Sequence, residues 1–213
     1  MSVPRIAVIL LAVLLVGCGS TPPPNASNQS SGAMATQAEQ QKMPVLYTAK
    51  QCLNNMSSLA VRWQPDALPF HMESDANSEA TGQDGKATMW RALFASASRG
   101  TMKAFTCSGS RLPNAPYGLT SAADTPYAPN VPGLMFTPSY LQVDSDAAYA
   151  TTLKHGGDAL VKKDAKQPVF YVLDWDSKSK TLLWTVVYGK SLTDRGGICL
   201  INASTGAFVR AGK

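Results

Sequence analysis

Gly85-Lys-Ala-Thr-Met-Trp-Arg-Ala-Leu-Phe94 and Ser179-Lys-Thr-Leu-Leu-Trp-Thr-Val-Val-Tyr188 decide the fold, because the second repeats the first with Trp184 in the place of Trp90. Each leaves a turn and runs into apolar, β-branched or aromatic residues, the composition of a half-buried strand. The surroundings repeat as well. Leu68-Pro-Phe-His71 lies beside Gln167-Pro-Val-Phe170, a helical pattern precedes each, and Cys107 and Cys199 fall on the last principal strand of each half. One supersecondary unit, a helix followed by an antiparallel meander, is therefore expected twice. The fold class is α+β, two tandem helix-plus-antiparallel-sheet units side by side. Each has an apolar sheet face that its helix or its twin must cover.

The first unit spans residues 45–110. Ala49, Cys52, Leu53, Met56, Leu59, Ala60 and Trp63 recur at helical spacing, which predicts a helix from Val45 to about Val61, stopped by Pro65. Strands are expected at Leu68–Ser74, Ala87–Ser96 and Met102–Ser108. Residues 111–143 form a crossover with proline at 113, 116, 126, 129, 132 and 138. So long a connection within a domain is often functional, and Tyr117, Tyr127, Leu134 and Phe136 are expected to pack it down. The second unit spans 144–213. Asp144 or Ser145 caps its helix, Asp146 complements the positive helix end, and Gly156-Gly157 stops it. A short helical turn at Asp158–Lys163 follows, then strands at Val169–Trp175, Leu182–Tyr188, Ile198–Asn202 and Ala207–Arg210.

Ahead of both units lies a leader, residues 1–17. Arg5 precedes an apolar run from Ile6 to Val16, too short to span a bilayer and built like a secretory h-region. Leu15-Val16-Gly17-Cys18 resembles the bacterial lipobox. That resemblance implies cleavage before Cys18 and diacylation of Cys18, which ties the chain to a membrane as a lipoprotein; the other reading is a plain signal peptide or an anchor helix. Gly19, rather than aspartate, follows the cysteine, which points to the outer membrane with the domain facing the periplasm. Inner-membrane anchoring is the alternative. Residues 18–44 are rich in Ser, Pro, Asn and Gln and hold no aromatic residue, so they read as a disordered, flexible tether. As a coil it would reach about 30 Å.

The Asp144-Ser-Asp-Ala-Ala opening, the Gly156-Gly157 stop, the following strands and the closing Asn202-Ala-Ser-Thr-Gly206 turn together resemble a PepSY-type domain. The resemblance covers Asp144 to Lys213, and residues 45–109 join it only through the internal repeat. It implies a non-enzymatic domain outside the cytoplasm, tied to peptidase regulation, inhibition or partner binding. It supplies no catalytic residue and no ligand.

Beyond Cys18 the chain has Cys52, Cys107 and Cys199. In an oxidising compartment the natural count is one disulfide and one leftover thiol. Cys52–Cys107 is favoured, and closing that loop contributes about 4 kcal/mol in the chain-entropy model. Cys107–Cys199 competes, because those two hold similar places in the repeat. No Cys-x-x-Cys pair, Gly-x-Ser-x-Gly elbow, phosphate loop or calcium loop is present, so no catalytic residue, metal or cofactor is expected.

His71 shares a strand face with Glu73 but lacks a visible third member. His155 precedes the Gly-Gly stop, where an imidazolium complements a helix end. Asp174 and Asp176 flank Trp175 and read as a strand end entering a turn. The formal charge of +5 is scattered, densest between Lys154 and Lys166. It suits a solvated face or an anionic lipid neighbour, and export disfavours nucleic acid. Tyr171, Trp184 and Tyr188 are either core residues or partner-binding anchors on an open sheet face. The functional expectation is a binding or inhibitory module for another envelope protein. A structural or assembly subunit of an envelope complex is the second reading, and a hydrolase the third.

Overall fold

A computed structural model describes residues 43–75, 77 and 79–212. The leader, Cys18 and most of the 18–44 segment lie outside the described residues. Helix α1 is Ala49–Trp63. It starts four residues later than periodicity predicts, because Thr48 and Gln51 form a capping box in which each side chain accepts from the other's backbone N–H. Val45 to Tyr47 instead runs extended: the Val45 N–H donates to Gly109 O, and Tyr47 bridges to Ala87. Pro65 is preceded by an extended Gln64, and the helix ends there.

Strands β1 (Leu68–Ser74), β2 (Met89–Ser96) and β3 (Thr101–Ser108) form the expected meander. The crossover is more regular than its prolines suggest. Its segments β4 (Gly118–Ser121) and β5 (Thr125–Pro126) return to pair with β3. Single 3₁₀ turns follow at Val131–Gly133 and Pro138–Tyr140. Val131, Tyr127, Leu134 and Met135 pack with Phe70 and Ala95, beneath the sheet face opposite α1. Tyr117 does not pack down as expected; it is exposed on the edge.

Helix α2 (Ser145–Thr152) opens on Asp144 and passes through a π-type turn, Leu153–Gly157, into α3 (Asp158–Lys163). In that turn Gly156 takes φ 99°, a conformation that glycine adopts without strain. Strands β6 (Val169–Asp176), β7 (Thr181–Gly189), β8 (Arg195–Asn202) and β9 (Phe208–Gly212) follow. Two sheets side by side were expected, but the strands join edge to edge into one antiparallel sheet ordered β4-β3-β2-β1-β6-β7-β8-β9. The protein is thus α+β with a single large antiparallel sheet. The seam β1–β6 is short: only His71↔Asp174, Met72↔Leu173 and Glu73↔Val172 pair across it.

Helices α1 and α2 lie on the same face of this sheet, and their N-termini meet. The Ala49 N–H donates to Ser145 Oγ at 3.0 Å and the Lys50 N–H to Asp144 Oδ1 at 2.9 Å. Two of the N–H donors that a helix start leaves unsatisfied thereby find acceptors on the other helix, one on its cap Asp144 and one on its first residue Ser145. Gly85 sits against this joint, where a Cβ would stand 2.2 Å from Asp146 Cα. The core beneath is aromatic. Trp90 and Trp184, both fully buried, have ring centroids 6.3 Å apart, with Tyr171 against both. Each indole N–H reaches the backbone just ahead of a helix: Trp90 donates to Tyr47 O at 2.8 Å, Trp184 to Val143 O at 2.9 Å. That satisfies the one polar atom of a large ring otherwise buried for its hydrophobic gain.

Candidate functional site

Tyr171, Trp184 and Tyr188, the candidate partner-binding anchors, have no exposed surface. They alternate onto the helix-covered face along with Val169, Leu173, Leu182 and Val186. The Tyr171 hydroxyl donates to Gly82 O, and the Tyr188 hydroxyl is hydrogen-bonded to Thr152 Oγ1. Burial pushes both phenols above their ordinary range. The partner-binding expectation is therefore corrected: these three are core. A period of two shows which residues share a face but not which face the helices cover.

The structure joins Cys52 of α1 to Cys107 of β3, with an S–S distance of 2.01 Å. Cys107 cannot reach Cys199, because β2, β1, β6 and β7 lie between their strands, a separation of about 24 Å at sheet spacing. Cys199 is a buried thiol, and burial pushes its pKa up.

His71 has a third member after all. Its Nδ1 lies 2.7 Å from Asp174 Oδ1 across the β1–β6 seam, and its Nε2 lies 3.5 Å from Glu73. Burial alone would lower the imidazolium pKa, but the hydrogen bonds to Asp174 and Glu73 and their charges outweigh it and raise the value from 6.5 to about 9. Glu73 is lowered by its bond to His71, against opposing burial, with help from the charges of His71 and Arg91. An imidazolium held by two carboxylates is an ion cluster at neutral pH, not a base awaiting a proton. Asp174 thus pairs with His71, whereas Asp176 enters the following turn, accepting from the Lys178 N–H and the Ser179 hydroxyl. The His155 ring stacks on Phe208 at 4.0 Å. Among the described residues no group of three or more His, Cys, Asp or Glu side chains is arranged to hold a metal ion.

Sequence reasoning missed a cleft of about 350 Å³ between the α2–α3 turn and the end of the sheet. His155 and Leu160 form one wall, Gly196, Ile198 and Cys199 of β8 the floor, and Ala211 of β9 the rim. It exists because β9 pairs with β8 only from Ile198 to Ile201, and Gly196 and Gly197 continue past that pairing without side chains. The Gly196-Gly197 pair was the available signal. Glycine inside a strand often marks a close approach by another group. Beside the cleft, β9 ends the sheet, and among the described residues no strand pairs with its outer edge.

No family model matches the chain. No curated protein matches it. Among solved structures it is similar to a candidate lipoprotein of Clostridium difficile 630. Identity is 7% and the TM-score 0.45, over 75% of this chain and 91% of that one. So distant a likeness carries no argument about fold or activity. Among the described residues no helix is long and apolar enough to cross a membrane.

Proposed function

We propose that this is a non-enzymatic lipoprotein, anchored through acylated Cys18 to the outer membrane, whose periplasmic domain binds another envelope protein. Its domain is a PepSY-like unit used twice, at 45–110 and 144–213. The matching places of Trp90 and Trp184, each bonded to the residue before a helix cap, support the duplication. One observation carries the binding reading: the β9 edge lies beside an apolar, glycine-floored cleft. A sheet edge offers backbone hydrogen bonds to an extended partner segment, and an adjoining pocket takes one of its side chains. Regulation or inhibition of a peptidase is one use of such a surface. The ion cluster at His71 has a structural use instead, holding the seam.

Crosslinking in intact cells, followed by mass spectrometry of copurifying proteins, tests the proposal. Gly196→Leu obstructs the cleft, because a Cβ there is accommodated at ordinary contact distance and already stands 3.9 Å from Leu160 Cδ2 of the wall. One dominant envelope partner should copurify with the unaltered chain and be lost from Gly196→Leu, with thermal unfolding of the two alike. A partner retained by the variant would reject the cleft. No specific partner at all would favour a structural role in an envelope assembly.

A further inference from the structure

We infer that the apolar corner formed by Met43, Val45, Leu46, Tyr117 and Leu119 rests on the lipid surface; this builds on the reading of Cys18 as the acylated anchor. Large apolar side chains standing in solvent are few, and these five are among the nine exposed ones in the described residues. The fold brings them together. The Val45 N–H donates to Gly109 O at 2.9 Å. Gly109 packs against the Tyr47 ring, and the β3–β4 register, with Ser108 opposite Gly118, brings Tyr117 up to the same glycine. Leu119 lies next along the β4 edge, paired with Cys107. Clustered exposed apolar groups mark a contact surface rather than ordinary scatter. Tyrosine also suits a boundary where one end of the side chain is apolar and the other wet.

The occupant follows from where the chain enters. Residues 18–42 join the acylated cysteine to Met43, which is itself part of the corner and 75% exposed. Whatever path those 25 residues take, they span at most about 90 Å, which confines the corner near the bilayer. The local concentration of lipid surface is then of millimolar order, so a weak contact suffices. Charges of both signs lie next to Gly109 in the chain and the fold: Arg111 is exposed, and Glu79 accepts from the Ser110 hydroxyl. The contact is apolar and should tolerate salt.

The test uses the full-length lipidated protein in phosphatidylethanolamine–phosphatidylglycerol vesicles. An environment-sensitive fluorophore is placed at Leu119→Cys, at Tyr117→Cys, or at Leu192→Cys as an exposed control elsewhere; native-state labelling spares the buried Cys199. Labels at 119 and 117 should shift to the blue and be quenched by nitroxide lipids, unchanged in high salt, while 192 stays water-like. Vesicle flotation and palmitate incorporation, lost in Cys18→Ser, report the anchor separately. Acylated, floating protein with water-like labels at 119 and 117 would overturn the lipid contact alone. Absence of acylation would overturn the contact and the anchor together.

Discussion

His71 is held from two strands at once, by Glu73 on its own and Asp174 across the seam. Because its pKa is raised from 6.5 to about 9 on folding, its stabilising effect is full below pH 6.5 and is lost as pH climbs through about 9. Both carboxylates are near half exposed, at 44% and 51%, so solvent screening reduces the effect to about 1 kcal/mol. Urea unfolding of the unaltered chain and of His71→Gln should therefore differ most near pH 6 and converge above pH 9. A constant gap across that range would refute the account. The Glu73 neighbour was legible from spacing within one strand. Asp174 was not paired with it, because the register between strands about a hundred residues apart leaves no local mark.

At the scale of elements, the two helix starts share their caps. The cap of α2 was legible as Asp144 or Ser145 from their place before an alanine-rich run, and the structure selects Asp144, whose Oδ1 accepts the Ser145 N–H. Its second bond, from Lys50 N–H of α1, depends on a meeting of helices that no sequence window contains. Asp144→Ala removes both, together with a negative charge at two helix N-termini. We expect a loss of about 2 kcal/mol, the upper end for a cap, where a lone cap of α2 would give about 1. Chemical denaturation reads the difference, and a loss below that lower figure would mean that the bond to α1 contributes nothing. The strands were legible for a simpler reason: their apolar and β-branched runs are buried on one or both faces. What stayed hidden was the use of the crossover, whose prolines suggested irregular chain while residues 118–121 and 125–126 paired with β3.

Across the whole molecule, most neighbouring strands are also neighbours in sequence, whereas β1 and β6 meet over three residue pairs after the crossover and the α2–α3 segment have intervened. Hairpins close early because little chain entropy opposes them, and distant pairings wait. The seam should thus assemble last, after the transition state, even though it completes the packing of Trp90 on Tyr171 and Trp184. Met72→Ala, at a buried seam position, should mainly speed unfolding. Val186→Ala, inside the β6–β7–β8 meander, should mainly slow folding. Stopped-flow chevrons decide between this order and its reverse. A molecule built this way owes its lifetime to its narrowest junction, and damage at the seam shows as early opening of a protein that still forms on time.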